Sequence, residues 1–406
     1  MQYYTYTFLN GLRIIHLPSD SPVSYCGFAI NAGTRDEGND EFGLAHFVEH
    51  MLFKGTGKRK AWHILNRMEN VGGELNAYTT KEDTFVYSIF MEEHYERAFE
   101  LLADLVFHSR FPQQEIEKEV DVILDEINSY KDSPSELIFD EFENLIFNGH
   151  ALGHNILGDE SSLLRFNSES GCSFIKRYYV PANIVFFSMG RIEMKKIIRL
   201  VEKNIENINS PAPANGRKKP EYIPAISKRK HKDTHQTHVI IGGRSYSMFD
   251  NRRMALFLLN NLLGGPGMNS RLNVALREKH GLAYSVESNI TTYTDTGLAA
   301  IYFGTDPKNT DKALRLVHKE LKKLRDEKLT TSQLAAAKKQ VIGQLGVSAD
   351  NKESLFLGLG KSFLHHNRYE TIPQVFEKIE KITAEELLDI ANEIFSSESL
   401  STLIYE

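Results

Sequence analysis

The sequence has few cysteines, no long uninterrupted hydrophobic run and no excess of positive charge. Its two cysteines, Cys26 and Cys172, lie far apart without a C-x-x-C spacing, which predicts neither a disulfide framework nor a thiolate zinc site and favours a reducing cytoplasm. No apolar stretch approaches the roughly 18 residues of a membrane-spanning helix, and the first residues lack the basic start and apolar run of a signal peptide. The net charge of −6 gives no general attraction to nucleic acid. We therefore expect a cytoplasmic protein that binds neither membranes nor nucleic acids.

The length and one change in composition indicate two domains. At about 100–200 residues per domain, 406 residues suggest two or more. Near the middle, the segment Asn-Ser-Pro-Ala-Pro-Ala-Asn-Gly-Arg-Lys-Lys-Pro at 209–220 has no apolar periodicity and several residues that break helix and strand. The sequence therefore predicts one domain at 1–210, a linker at 211–222 and a second domain at 223–406.

The two halves contain similar segments. Residues 112–127 resemble residues 330–345, and each segment follows an amphipathic helix that comes after a strand-like run, at 84–90 and 298–303 respectively. This repeat predicts an α+β fold with two tandem homologous domains, each a mixed or antiparallel sheet flanked by helices.

A hairpin is predicted at the N-terminus. Strand-like residues at 5–9 and 12–15 flank Asn10-Gly11, the dipeptide that favours a two-residue type I′ turn. We expect the two strands to pair directly across this turn.

The segment Phe-Gly-Leu-Ala-His-Phe-Val-Glu-His-Met-Leu-Phe at 42–53 predicts a buried helix with three polar side chains. His46 and His50 are four residues apart, so their imidazoles share one helix face at a spacing that suits one tetrahedral zinc ion, and Glu49 adjoins that face. Burying these groups without partners would cost about 2–7 kcal/mol each, which a bound cation relieves. The alternative is a pair of core histidines bonded to backbone carbonyls, with Glu49 paired to a distant cation. An H-x-x-E-H pattern inside an apolar helix favours the metal site.

A third ligand is expected from the helix at 113–128, since catalytic zinc has three protein ligands and an open position. A helical wheel places Glu119 and Glu126 at the edge of the apolar stripe, while Asp121 and Asp125 lie opposite it. The apolar stripe itself consists of Ile116, Val120, Ile123 and Ile127. We predict Glu126 as the third ligand and Glu119 as a group that hydrogen-bonds or electrostatically tunes the site. The alternative is that these edge glutamates form structural salt bridges.

The glutamates also differ between the two copies. When residues 112–127 are aligned with residues 330–345 without gaps, Glu119 faces Ala337 and Glu126 faces Gln344. Chemistry that depends on these carboxylates therefore belongs to the first domain only.

Several segments together resemble one family over essentially the whole chain. They are the H-F-V-E-H helix with its downstream glutamate pair, Gly-Gly-Glu-Leu-Asn-Ala-Tyr-Thr-Thr at 72–80, Gly-Gly-Pro-Gly-Met-Asn-Ser-Arg at 264–271 and Leu-Arg-Glu-Lys-His-Gly-Leu-Ala-Tyr-Ser at 276–285. The family is the M16 zinc peptidases, which include pitrilysin, insulin-degrading enzyme and the mitochondrial processing peptidase. The length is similar to that of the short, two-domain bacterial members. The resemblance implies one Zn²⁺ per chain held by His46, His50 and Glu126, with Glu49 as general base and Glu119 supporting the ligands.

The resemblance also implies how substrate is bound. Asn76 and Ala77 match the family's edge strand, to which an extended peptide adds as a further strand. Arg277 and Tyr284 match residues that reach the peptide, with the tyrosine as an oxyanion donor. Without the resemblance, Arg277 is a last-turn cation and Tyr284 a strand aromatic, on either side of a helix stop at Gly281.

The resemblance further implies a chain that forms half of a clamshell and pairs, here as a homodimer, around a closed chamber for peptides or unfolded polypeptides. Two functions follow from the sequence. The chain is a zinc metalloendopeptidase, or it is a structural or substrate-presenting subunit of the same fold that has no activity. The complete ligand set favours the peptidase.

Overall fold

The computed structural model describes residues 2–205, 207–212, 214, 216–232 and 234–406, which form two compact units. The first unit contains the chain up to Asn128 together with His154–Arg217 and Ala349–Glu370. The second contains Ser129–Gly153, Lys218–Ser348 and Thr371–Glu406. Each unit has its own sheet and its own apolar core.

The first unit is built on a six-stranded sheet of order β1-β2-β6-β3-β5-β4. Its strands are β1 (Tyr4–Thr7), β2 (Arg13–Pro18), β3 (Val23–Ile30), β4 (Glu74–Thr79), β5 (Thr84–Met91) and β6 (Ile184–Gly190). β2 and β6 are parallel, and the other neighbours are antiparallel. β3, β5 and β6 are mostly apolar and buried because helices cover both faces of the sheet.

The helices of the first unit lie on both faces of this sheet. They are α1 (Leu44–Leu52), α2 (Ala61–Glu69), α3 (Tyr95–His108), α4 (Gln113–Lys131, whose last three residues are counted with the second unit), α6 (Glu160–Leu163), α7 (Ser168–Tyr178), α8 (Met194–Asn204) and α12 (Lys352–His366). On one face, Phe28 and Phe99 pack against Phe186 with ring centroids 5.1 Å from it. On the other, Phe356 of α12 stacks on Phe187 at 4.3 Å.

The second unit repeats this plan with a five-stranded sheet of order β7-β11-β8-β10-β9. Its strands are β7 (Ser227–Lys230), β8 (Thr237–Ser245), β9 (Ala283–Thr292), β10 (Gly297–Thr305) and β11 (Ser401–Tyr405). Its helices are α5 (Pro134–Ile146), α9 (Arg253–Gly264), α10 (Thr310–Asp326), α11 (Thr331–Ser348), α13 (Ile372–Lys381) and α14 (Ala384–Ile394). Strand order β2-β6-β3-β5-β4 in the first unit corresponds to β7-β11-β8-β10-β9 in the second, with one parallel pair in each. This confirms the predicted α+β fold with two homologous halves.

The units differ from the predicted contiguous division in two helices. α5 precedes the predicted boundary but belongs to the second unit, because Ile138, Phe142 and Ile146 join an apolar cluster on one face of its sheet. α12 follows the boundary but packs on the first sheet, where Gly360 lets the helix approach the Phe187 ring so closely that an added Cβ would lie 2.7 Å from it. Each helix packs on the sheet that is built from the other half of the sequence. A single boundary in the sequence therefore cannot separate the two units. Residues 213 and 215 of the predicted linker lie outside the described residues.

The N-terminal hairpin forms, but its predicted turn type is wrong. β1 and β2 pair antiparallel up to Thr7 and Arg13, and the Phe8 N–H still donates to the Leu12 carbonyl at 2.9 Å, so the loop is the three residues Leu9–Gly11 and not a two-residue turn. Gly11 has φ +88°, and the Asn10 side chain bonds to the Leu12 N–H and to the Ile205 carbonyl. These bonds hold the dipeptide inside a wider loop. In the described part of the chain, no helix is both long and apolar enough to cross a membrane.

Candidate metal centre

The helix that carries both histidines, α1, starts at a defined backbone position. Its N-cap is Gly43, whose φ of +91° is the left-handed conformation that favours glycine. The Glu37 carboxylate accepts hydrogen bonds from the N–H groups of Gly43 and Ala45, at 3.0 and 2.8 Å. These donors are among the unpaired N–H groups at a helix start, so Glu37 fixes where α1 begins. The apolar face of α1 is fully buried, as the sequence predicted.

His46, His50 and Glu126 converge at one point. Glu126 Oε2 is 3.8 Å from His46 Nε2 and 3.6 Å from His50 Nε2, and one ligand atom from each residue lies within 4.8 Å of the others. Tetrahedral zinc with ligands at about 2.0–2.1 Å would hold such atoms about 3.3 Å apart. The three groups therefore fit a zinc ion after small movements. Two imidazole nitrogens and one carboxylate are also the donors that zinc accepts in catalytic sites.

The two histidines are held differently. His46 is buried, and its Nδ1 is enclosed without a hydrogen-bond partner among the described residues. Burial, with a further contribution from His50, lowers the pKa of His46 to about 3, so its imidazole is neutral at pH 7 and able to bind a cation. His50 is partly exposed and places its Nδ1 2.9 Å from Glu119 Oε1. Such a bond fixes the ring and leaves Nε2 facing Glu126.

The structure separates the two glutamates of α4. Glu119 is 5% exposed, and its second oxygen, Oε2, lies 2.5 Å from Lys54 Nζ. Burial alone would raise the pKa of Glu119, but the bonds to His50 and Lys54 outweigh it and lower that pKa. The Glu126 side chain is 45% exposed, so it reaches the histidines from the solvent side and not from the interior. Asp121 and Asp125 are exposed, as the helical wheel predicted.

Lys54 is a residue of this site that the sequence argument missed. In the sequence it is a lone lysine directly after the apolar helix predicted at 42–53. Its position four residues after His50 was the available signal, because side chains at that spacing lie on the same helix face.

Glu49 is hydrogen-bonded to Thr79 and lies near His50. Burial raises the pKa of its carboxyl, and the neighbouring Thr79 and His50 offset part of that rise. Thr79 is the last residue of β4, the outermost strand of the first sheet. Asn76 and Ala77 pair with Tyr87 and Val86 on the inner side, and no other strand of the described residues covers the outer side. The end of an open strand thus lies beside a carboxyl with a raised pKa.

The glycine pair before β4 forms a turn. Gly72 has φ +69° and no atom within 4 Å of an added Cβ, whereas an added Cβ on Gly73 would lie 3.2 Å from the Ile89 carbonyl. The backbone therefore approaches a neighbouring strand closely at Gly73 and not at Gly72.

Arg277 and Tyr284 lie in the second unit. Arg277 is on a π-helical turn, Asn273–Glu278, and Gly281 with φ +57° ends this turn before β9, as predicted for a helix stop. The Arg277 guanidinium is 5.8 Å from the centre of the Tyr284 ring, and Tyr284 is 85% exposed. Both residues line a cavity of about 470 Å³ together with residues 264–268.

The second unit has an amide and an alanine where the first has Glu126 and Glu119. Gln344 of α11, the residue aligned with Glu126, bonds through Oε1 to Asn261 Nδ2 at 2.8 Å. Ala337, aligned with Glu119, is buried. Within the described ranges, the His46, His50 and Glu126 group is the one cluster of three with metal-ligand spacing.

Comparison with known proteins connects both halves to one family. The family model described as Insulinase (Peptidase family M16) matches residues 14–160, and the model described as Peptidase M16 inactive domain matches residues 165–341. The chain is 33% identical over 401 residues to the uncharacterized zinc protease YmxG of Bacillus subtilis. The aligned region covers 98% of this chain and 97% of the relative. It is 32% identical to an uncharacterized zinc protease of Rickettsia felis, over 97% of this chain and 95% of that protein.

Solved structures share the fold. A protease from Helicobacter pylori superposes with a TM-score of 0.92 at 22% identity, covering 100% of this chain and 99% of the other. A Pseudomonas fluorescens protein described as a peptidase M16 inactive domain gives a TM-score of 0.93 at 19% identity, covering 100% and 98%.

Proposed function

The chain belongs to the M16 peptidase family, and from that premise we propose that it is a zinc metalloendopeptidase whose chemistry lies in the first unit. The observation that carries the proposal is the convergence of His46, His50 and Glu126 beside Glu49. The relatives are named zinc proteases, which supports zinc as the metal.

The three ligands would hold one Zn²⁺ per chain. When bound, zinc supplies Lewis-acid activation of water and of the peptide carbonyl. His46 is suited to this role because burial keeps its imidazole neutral. Glu119 supports His50 through the Nδ1 bond, and the exposed side of Glu126 leaves room for water and substrate.

Glu49 serves as the general base and then as the general acid. Its raised pKa brings the carboxyl closer to the pH at which it can accept a proton from water and return it to the leaving amine. Its position beside Thr79 places it at the end of β4, where the scissile bond of a peptide aligned on Asn76 and Ala77 would arrive.

Arg277 and Tyr284 would complete the reaction from the second unit. Arg277 would hold the peptide, and the Tyr284 hydroxyl would donate a hydrogen bond to the oxyanion that develops on the scissile carbonyl. Their shared cavity and the exposure of Tyr284 support a role in contacting a ligand.

The substrates we propose are peptides and unfolded polypeptide segments, because strand addition at β4 requires an extended backbone. We further propose a cytoplasmic homodimer that encloses the substrate, as in the short family members. Sedimentation of the active protein would contradict this if the active species were strictly monomeric.

The test is the Glu49→Gln variant. This change keeps the side-chain shape and all three ligands, so we expect zinc retention with a loss of turnover of about 10²–10⁴-fold. Wild-type cleavage of a mixed peptide library by the variant would refute the mechanism. Absence of zinc and of cleavage in the unaltered protein would favour the structural or substrate-presenting subunit.

A further inference from the structure

Lys54 and His50 hold one carboxylate between them. Lys54 lies just beyond the end of α1, and its Nζ is 2.5 Å from Glu119 Oε2. The other oxygen of the same carboxylate, Oε1, is 2.9 Å from His50 Nδ1. The Glu119 side chain is 7% exposed, so a buried carboxylate on α4 is held by two side chains at the end of α1. We call this arrangement, formed by His50, Lys54 and Glu119, the carboxylate clamp.

The carboxylate clamp connects the two helices that supply the ligands. α1 carries His46 and His50, and α4 carries Glu126, which is seven residues beyond Glu119. Seven residues are about two helical turns, or about 10 Å. Holding Glu119 against α1 therefore fixes the position along α4 from which Glu126 reaches the two histidines.

The clamp also compensates charge. Three carboxyl groups lie near the two histidines, those of Glu49, Glu119 and Glu126. Burying a carboxylate without a partner lowers the stability of the folded protein. Lys54 lies in ion-pair contact with the most buried of the three. This ion pair does not involve the atoms of His46, His50 and Glu126 that converge at the site, so it can stabilise the Glu119 carboxylate without a metal ion.

We propose that Lys54 is a positioning residue for the metal centre, acting through Glu119 to orient the His50 ring and to set α4 with its ligand Glu126 against α1. The inference rests on the proposed function in one respect, namely that His46, His50 and Glu126 bind zinc. It assigns Lys54 no contact with the metal or the substrate.

A purely electrostatic account predicts the opposite effect of removing Lys54. Loss of a cation near a cation site should tighten zinc binding, whereas loss of a positioning residue should weaken it. The sign of the change in zinc affinity therefore distinguishes the two accounts.

The experiment measures the zinc dissociation constant of the full-length protein by competition with a chromophoric chelator, together with the melting temperature of each metal-free variant. Lys54→Met should weaken zinc binding about tenfold, at the lower end of the 10–100-fold range for groups that support a metal-bound histidine. Lys54→Arg keeps the charge and a donor, and should bind zinc nearly as the unaltered protein does. Lys58→Met, which changes an exposed lysine four residues further along the chain, is the matched control and should leave the affinity unchanged.

A double variant tests whether Lys54 acts through Glu119. If it does, Lys54→Met combined with Glu119→Gln should bind zinc no more weakly than Glu119→Gln alone, because the shared route is already lost. Unchanged or tighter zinc binding by Lys54→Met, or losses that multiply in the double variant, would overturn the proposal. Failure of the unaltered protein and of Lys58→Met to bind zinc would instead refute the proposed function.

Discussion

Removing the Glu37 carboxylate is expected to destabilise the start of α1. Its two oxygens accept hydrogen bonds from the Gly43 and Ala45 N–H groups at 3.0 and 2.8 Å. Loss of a capping side chain typically costs about 0.5–2 kcal/mol, and hydrogen bonds to a charged group contribute about 1.5–3 kcal/mol. Because burial raises the pKa of the Glu37 carboxyl well above its usual value, the cost of burying its charge offsets part of this bonding energy, and we expect Glu37→Ala to lower the free energy of unfolding by about 2 kcal/mol.

The assay is urea unfolding of the metal-free protein, followed by zinc titration. Asp40→Ala removes an exposed carboxylate from the same loop and is the matched control, with an expected change within about 0.5 kcal/mol. Glu37→Ala should also bind zinc more weakly, because the first turn of α1 carries His46. Equal unfolding free energies for the Glu37→Ala and Asp40→Ala proteins would show that the two N–H bonds do not hold the helix start.

Other predictions concern the second unit, pH and substrate size. Tyr284→Phe should lower kcat by about 10²–10³-fold with zinc content unchanged, because an oxyanion donor is lost. Arg277→Ala should raise KM. If both variants cleaved several peptides with the wild-type kcat/KM, the second unit would have no catalytic role. Burial lowers the pKa of His16 to about 4, so the folded protein excludes a proton that the unfolded chain binds below about pH 6.5. His16 therefore contributes stability above pH 6.5 that is lost as the pH falls through 4, and His16→Gln should reduce the difference in unfolding free energy between pH 7 and pH 4 by about 3 kcal/mol. An equally steep pH dependence in that variant would contradict this. Unfolded peptides should be cleaved and a stable folded domain should not, which a digestion of both would check.

Local patterns in the sequence were sufficient to predict the buried helix that carries His46 and His50 and the burial of Glu119 on α4, but not the exposure of Glu126. The spacing of His46 and His50 follows from helical geometry, and the wheel separated the buried Glu119 from the exposed Asp121 and Asp125. The repeat of α+β segments predicted both sheets because the same order of strand and helix patterns occurs in each half.

Features that depend on contacts distant in sequence could not be predicted in this way. α5 and α12 pack on the sheet of the other half, and their apolar faces do not indicate which sheet they cover. The hairpin loop is bonded through the Asn10 side chain to the Ile205 carbonyl, 195 residues away. Lys54 and Glu37 have no distinctive sequence pattern around them. The contact of Lys54 with Glu119, and the bonds of Glu37 to the start of α1, are visible only in the folded structure.

The most direct test of the central claim is the zinc content of three proteins purified in parallel: the unaltered chain, Glu126→Gln and Asp125→Asn. The structure places Glu126 Oε2 within 3.8 Å of both histidine Nε2 atoms, whereas Asp125 is exposed one position away on the same helix. The account predicts about one zinc per chain in the unaltered protein and in Asp125→Asn, and loss of most of the zinc in Glu126→Gln. Equal zinc content in all three proteins, or none in the unaltered chain, would contradict it.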